Sequence, residues 1–328
     1  IKTNILPNAD ALFLTAIDPY GHELWRWTFP VNKLNQQTEQ LSPLSSRPAY
    51  TETENELTVK ANKRTFIFSK KDGQLKGVSV DNRKISFANG PRFIGARRAD
   101  RSLDQFYNHD DEKAKEKDRT YSEFPDAAVF TKLDVKEDGG NLVVTANYKL
   151  GNLDKTQWTI NPSGELALDY TYNFSGVVDL MGIRFDYPED QVISKRWLGA
   201  GPYRVWQNRI HGTQYDIWEN DYNDPIPGET FTYPEFKGYF GDVSWMNIQT
   251  KEGTISLTNE TPDAYIGVYQ PRDGRDRLLY TLPESGISVL NVIPPVRNKV
   301  NSTDLCGPSS QPKWVNGPQT GRVIFRFM

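Results

Sequence analysis

Trp197-Leu198-Gly199-Ala200-Gly201-Pro202-Tyr203, continuing through Trp206-Gln207-Asn208-Arg209 to Gly212, is the stretch on which the fold reading turns. An apolar strand runs into two glycines and a proline, which punctuate a chain sharply. Gly199 and Gly201 are expected to supply backbone conformations barred to other residues, so that neighbouring strands can turn tightly. An aromatic, an Asn-Arg pair and a further glycine follow. Downstream come Pro234-Glu235-Phe236-Lys237-Gly238 and then Asp242-Val243-Ser244-Trp245, a strand returning on an aromatic.

On both sides of this corner the chain alternates apolar and polar residues with the period of half-buried strands. Glu56–Ala61, Arg64–Ser69, Leu75–Val80, Asn141–Tyr148, Leu166–Tyr172 and Gly321–Phe327 all read this way. Lys71-Asp72-Gly73, Gly139-Gly140 and Pro162-Ser163-Gly164 are the turns between them. Such spacing predicts an all-β sandwich or barrel. Upstream, Ala11–Ile17, the turn Asp18-Pro19-Tyr20-Gly21 and Leu24–Phe29 predict a hairpin, and two strands alone are marginal in water. Residues 32–53 lack apolar patterning and read as a linker, which places a domain boundary near residue 55. The charged stretch from Asp100 to Arg119 reads as a solvated loop or short exposed helix.

Composition narrows the functions. The 328 residues carry 24 glycines and 21 prolines, which suit short strands joined by turns. A net charge of −3, with no basic stretch to follow a phosphate backbone, argues against nucleic acid as a partner. No apolar run is long enough to cross a bilayer as a helix. One cysteine, Cys306, permits neither an internal disulfide nor a cysteine metal cluster. The start at Ile1, without a charged-then-apolar leader, is read as that of a mature chain or an excised piece, with an upstream portion expected to have been removed. A bacterial periplasmic or secreted setting is the expectation.

The order of corner, aromatic, Asn208-Arg209 and returning Trp245 resembles the C-terminal, small-chain domain of glycoside hydrolase family 2 β-galactosidases. Phe66–Leu75, Gly90-Pro91-Arg92-Phe93-Ile94-Gly95-Ala96 and Met181-Gly182-Ile183-Arg184-Phe185 extend the resemblance across residues 56–328. It implies a galactose-mutarotase-like supersandwich over 55–328. Residues 1–54 would then hold a hairpin remnant of a preceding immunoglobulin-like domain, plus the linker. It also implies a non-catalytic portion of a glycosidase, because the family's acid and nucleophile lie on a (β/α)8 barrel and this chain has no strand–helix alternation of that kind. The implied partners are carbohydrate and the catalytic barrel of the parent polypeptide. The chain departs from the family at Arg97-Arg98-Ala99-Asp100, where an acidic turn is usual. It departs again at Glu235-Phe236-Lys237 and Tyr239-Phe240, where polar residues are usual, and at Cys306, near the place of a sugar-site Trp.

The candidate carbohydrate-binding residues are Tyr203, Trp206, Asn208, Arg209, His211, Glu235 and Trp245. A pyranose lays its C–H face on an aromatic ring, and its hydroxyls need directed partners such as Asn208, Arg209 and Glu235. For each aromatic, Trp218 included, the competing role is core packing. For Arg209 it is an internal pair with Asp242 or Glu219. Of the histidines His22, His109 and His211, only His211 is placed to serve an aldose-epimerase-like reaction, with Glu235 as the conceivable carboxylate. The same architecture is compatible with polysaccharide-lyase activity, and with a purely structural or dimer-forming module that binds no ligand. No cofactor is expected. Glu219, Asp221 and Asp224, with Asn220 and Asn223 between, offer oxygen ligands for a hard cation or form an exposed acidic turn, and no EF-hand spacing supports the former.

Overall fold

The computed structural model describes residues 9–31, 46–98, 121–222, 224, 226–228, 236–269, 282–296 and 307–328. Glu235, Asn223, Cys306, His109 and the charged stretch from Asp100 to Arg119 lie outside the described residues. A hairpin of β1 (Ala11–Ile17) and β2 (Glu23–Pro30) comes first. The body follows with β3 (Ala49–Glu52), β4 (Glu56–Ala61), β5 (Arg64–Ser69), β6 (Leu75–Val80), β7 (Arg83–Ile85), β8 (Ala88–Arg98), β9 (Tyr121–Glu123) and β10 (Val129–Asp138). It continues with β11 (Asn141–Lys149), β12 (Leu153–Ile160), β13 (Leu166–Val178), β14 (Leu180–Asp186), β15 (Val192–Gly201) and β16 (Gln214–Asp221). Last are β17 (Trp245–Thr250), β18 (Gly253–Asn259), β19 (Tyr265–Val268), β20 (Ile287–Val292) and β21 (Lys313–Phe327).

Two large antiparallel sheets make the body: an all-β sandwich, as the strand spacing predicts, and the supersandwich that the resemblance implies. One has nine strands in the order β10-β11-β12-β13-β21-β18-β17-β15-β16. The other has ten, in the order β19-β20-β14-β8-β6-β5-β4-β3, with β7 added beside β6 and β9 beside β8. Period-2 alternation fills the space between them. Leu57 and Val59 of β4, Phe66 and Phe68 of β5, Leu142 and Val144 of β11, and Phe325 and Phe327 of β21 are all buried in one core. Phe87 stacks on Phe185 at 4.8 Å and meets Phe325 at 5.1 Å, joining the sheets through aromatic contacts. Arg64 of β5 reaches across, donating Nε to the Phe327 carbonyl at 2.8 Å and Nη1 to the Ser163 carbonyl at 2.9 Å.

Two local readings change. Ala49–Glu52 pairs with β4, so the ten-stranded sheet starts upstream of residue 55. As an exposed edge strand it needs no apolar face, and alternation therefore could not reveal it. Gly199 and Gly201 do not adopt positive φ. They are glycines for want of room: a Cβ at Gly201 would stand 2.5 Å from the Trp218 ring, and one at Gly199 3.0 Å from the Gly241 carbonyl.

In the hairpin, Leu12, Leu14 and Ala16 lie opposite Phe29, Trp27 and Trp25. This makes one face wholly apolar, and its five large side chains are exposed. The other face carries Phe13, Thr15, Arg26 and Thr28, and Arg26 approaches Asp216 of β16 at 3.8 Å.

Candidate functional site

Tyr203, Trp206, Asn208, Arg209 and His211 fall on a platform built from four segments, 202–213, 236–240, 293–296 and 307–311. Val205 and Tyr239 exchange backbone hydrogen bonds at 2.8 Å each way. That approach leaves no space at Gly238, where a Cβ would stand 1.9 Å from the Val205 carbonyl oxygen. Residues 206–209 close a tight turn, with the Arg209 amide donating to the Trp206 carbonyl at 2.8 Å. Trp206 is 1% exposed and meets Tyr239 edge-on at 5.7 Å, inside a second apolar cluster with Ile94, Leu180 and Leu290. Its faces are core. Asn208 commits its amide to the backbone: Nδ2 donates to the Val296 carbonyl at 2.7 Å, and Oδ1 accepts from the Val296 amide at 2.9 Å. The neighbouring Gln207 donates Nε2 to the Ser309 and Gln311 carbonyls at 2.7 and 2.8 Å.

The platform rim is more open. Arg209 sets its guanidinium 4.8 Å over the Phe236 ring, in place of a pair with Asp242 or Glu219. Glu219 instead lies 3.9 Å from Arg196. Tyr203 contacts Phe236 edge-on at 5.1 Å and donates its hydroxyl to the His211 carbonyl at 3.0 Å, while the His211 ring is exposed. Trp245 sits apart on β17, 8% exposed, with Arg196 5.9 Å over its ring. The structure therefore brings Tyr203, Trp206, Asn208, Arg209 and His211 together and leaves Trp245 outside the group.

Two cations lie buried behind the platform. Lys195, 1% exposed, donates Nζ to the Asp221 carbonyl at 2.7 Å and faces the Tyr222 ring at 5.5 Å. Desolvation, and next the neighbouring Arg204 charge, hold its ammonium well below the usual lysine range against the pull of Asp224 and Asp221. Burial likewise brings Arg204 down to about 10. In the acidic turn beside them, Asn220 bonds the Asp224 carbonyl. Among the described residues, no group of three or more His, Cys, Asp or Glu side chains is placed to hold a metal ion.

A separate cleft of about 750 Å³ opens on the ten-stranded sheet, lined by Asn89, Arg92, Arg184, Asp186, Glu189, Tyr269 and Glu284 among others. Its floor follows from register. Phe93, Ile183 and Phe185 point into the core between the sheets, so Arg92 and Arg184 project from the opposite face. The two arginines are direct cross-strand partners, and Arg184 is also opposite Ser288 of β20. Like charges placed opposite each other are unfavourable, and carboxylates gather around them. Asp186 pairs with Arg92 and accepts from Asn89 Nδ2 at 3.0 Å, and Glu123 lies 3.8 Å from Arg184. Desolvation leaves the Asp126 carboxyl above its ordinary value, although both arginine charges oppose this. Among the described residues, Nε of Arg92 and Nε of Arg184 have no acceptor. At the cleft's end, Tyr269 donates its hydroxyl to the Tyr187 carbonyl, and Glu189 accepts from Tyr222.

A family model described as beta galactosidase small chain matches residues 60–294, more than two-thirds of the chain. The chain belongs to the beta galactosidase small chain family. No curated protein sequence matches it. Among solved structures, it is similar to the galactose 1-epimerase from Lactobacillus acidophilus NCFM, at 9% identity over 87% of this chain and 99% of that one, with a TM-score of 0.47. It is also similar to the GalM/aldose epimerase homologue from C. elegans, at 8% identity over 86% and 99% of the two chains, with a TM-score of 0.37. A copper-containing benzylamine oxidase from Hansenula polymorpha is similar at 7% identity over 86% of this chain and 60% of that one, with a TM-score of 0.33.

For this small-chain domain, reading the sequence missed the cleft residues. A signal was present in the repeated Gly-Xaa-Arg-Phe of Gly90-Pro91-Arg92-Phe93 and Gly182-Ile183-Arg184-Phe185. In each, an arginine interrupts an otherwise apolar strand at an outward position. That the two arginines pair with each other depends on strand order, which composition does not carry.

Proposed function

We propose that this chain is the non-catalytic portion of a family 2-like, β-galactosidase-like glycoside hydrolase, buttressing the parent's catalytic barrel and contributing to carbohydrate binding. The observation that carries the reading is the small-chain family match over residues 60–294, on a body built of strands. Hydrolysis of a glycosidic bond with retention calls for two carboxyls roughly 5 Å apart across the bond, and the family supplies them from a barrel. In this reading the platform is a shaped wall rather than a reaction centre. Trp206 and Asn208 fix its form, and Tyr203, Arg209 and His211 make up its rim.

The hairpin supports the same reading. A strand pair with one wholly apolar face gains stability by packing that face on a second sheet. We assign this face to the remaining strands of an immunoglobulin-like sandwich in the parent polypeptide. For an aldose-epimerase reaction, the described residues offer His22, paired with Asp18 at 3.0 Å on the hairpin, and the exposed His211. Neither lines the cleft.

The test combines two measurements on the purified 328-residue chain. Incubation with a chromogenic β-galactoside should give no release above the uncatalysed rate, and calorimetric titration with galactosides should give weak, saturable heat. Turnover by the chain alone would overturn the non-catalytic assignment. Absence of heat at millimolar sugar would remove the binding role.

A further inference from the structure

Resting on the carbohydrate reading above, we propose that the sugar-binding site of this chain is the Arg92–Arg184–Asp186 cleft, and that its ligand is a neutral saccharide. The volume, about 750 Å³, falls within the range of small-molecule sites, roughly 300–1,000 Å³. The wall chemistry selects the class. A sugar hydroxyl both donates and accepts, so it is best held where a donor and an acceptor stand side by side. The Arg92–Asp186 pair, extended by Asn89, is such an arrangement, and Arg184 stands beside it, 3.8 Å from the Glu123 carboxylate and donating Nη1 to the Glu284 backbone carbonyl. Vicinal hydroxyls of a pyranose can bridge an Arg–carboxylate pair without a change in net charge.

Charge disfavours an acidic ligand. The lining carries Arg92 and Arg184 against Asp186, Glu189 and Glu284, and Glu123 and Asp126 stand close to the arginines. An arriving uronate or sulfate would enter a site whose cations already have counter-charges, and would meet surplus carboxylates. Pro188 and the Tyr269 ring give the C–H face of a sugar an apolar wall. The cleft differs from the platform in what lines it: guanidinium and carboxylate groups paired side by side at an opening, with Arg184 Nη1 given to a backbone carbonyl, rather than amides committed to backbone.

Calorimetry and saturation-transfer NMR on the intact chain test this, with lactose, methyl β-galactoside and cellobiose as neutral probes and galacturonate as the acidic one. Two variants address the cleft. Asp186→Asn removes the carboxylate charge and exchanges one acceptor oxygen for a donor, and Ala88→Phe plugs the wall without touching an ion pair. Arg209→Ala serves as the platform control, and melting curves confirm that each variant is folded. The expected result is that at least one neutral probe binds, that both cleft variants weaken it by about tenfold or more, equivalent to about 1.4 kcal/mol, and that Arg209→Ala binds as the parent does. Binding that survives Ala88→Phe but is lost in Arg209→Ala overturns the cleft and leaves the carbohydrate role standing. Galacturonate binding tighter than every neutral probe overturns the ligand class. Failure of all probes with the parent chain removes the carbohydrate role itself, and this site with it.

Discussion

On the platform, Asn208 bonds Val296 through both of its amide atoms, Gln207 holds two carbonyls, and Trp206 is sealed under Tyr239. In the cleft, Arg92 and Arg184 stand side by side at an opening, each with an Nε that no described residue accepts from. Both regions contain the residue types that bind sugar. The difference lies in what the backbone demands locally. Four loop segments meeting at the platform bring many N–H and C=O groups out of water without a sheet ladder to pair them, and side-chain amides must fill those roles. The cleft rests on regular strands whose backbone is largely satisfied by neighbours, so its outward side chains engage mainly one another, as Arg92 does Asp186, although Arg184 also gives Nη1 to the Glu284 carbonyl. Aromatic and amide richness at a glycine-hinged corner is therefore evidence of a demanding loop junction before it is evidence of a binding site.

The largest expected effect breaks the comparison at Trp206. If the ring is core, Trp206→Ala should cost about 3–5 kcal/mol of stability, measured by denaturant unfolding, through lost burial and the cavity left behind. A loss below about 1 kcal/mol would mean that the ring is a surface group, and the platform would regain its claim on sugar. Asn208→Ala should come next, at about 1–3 kcal/mol, because it strands the Val296 amide and carbonyl in a half-buried junction. Asn208→Asp should recover little, since a carboxylate accepts from the Val296 amide but cannot donate to its carbonyl.

These two variants also mark the limit of sequence reading. Strand alternation exposed the cores of β4, β5 and β11, because one buried face forces a period of two regardless of the sheet order. Turn glycines at 73, 139, 140 and 164 were legible for the same kind of local reason, and all four take positive φ. Gly199, Gly201 and Gly238 were not, since their need is set by Trp218, Gly241 and Val205 arriving from elsewhere in the chain. Trp206 and Asn208 are neighbours in sequence, but whether they face a ligand or the interior depends on the loops around residues 296 and 310. The cleft needed the order β20-β14-β8 to align Ser288, Arg184 and Arg92, and long-range pairing of that kind leaves no mark on local spacing.

A smaller effect sharpens the comparison at the cleft's back wall. Glu252, in the turn between β17 and β18, accepts from the Ser86 hydroxyl at 2.7 Å, the Ser86 amide at 2.8 Å and the Tyr187 hydroxyl at 3.0 Å. It thereby pins the nine-stranded sheet to the ten-stranded one. Desolvation raises its carboxyl, but these hydrogen bonds outweigh that and hold it below the ordinary value of 4.5. A depressed carboxyl stabilises the fold fully above 4.5, and the contribution fades as pH falls through the lower folded value. Glu252→Gln should therefore cost about 1.5 kcal/mol at neutral pH, since charge-assisted bonds exceed neutral ones. The gap between parent and variant should close in acid. A gap constant with pH would mean that the pin works by shape alone.

The smallest effect belongs to Arg209, and it is the most discriminating because the residue sits on the rim that the platform offers to solvent. Its guanidinium over Phe236 is a half-exposed cation–π contact, the kind that contributes about 0.5–1 kcal/mol. Arg209→Ala should lower the melting temperature by no more than about 4 °C, given the shift per kcal/mol expected for a large domain. Arg209→Lys should recover only part of that, because an ammonium lacks the flat guanidinium face that lies on the ring. Neither change touches Trp206 or the Asn208–Val296 bonds, so the platform keeps its shape while its rim loses the Arg209 guanidinium stacked over Phe236. A loss in stability several times larger would place Arg209 inside a buried pair and make the rim part of the core. The two regions would then differ in degree of burial rather than in how their polar groups are engaged.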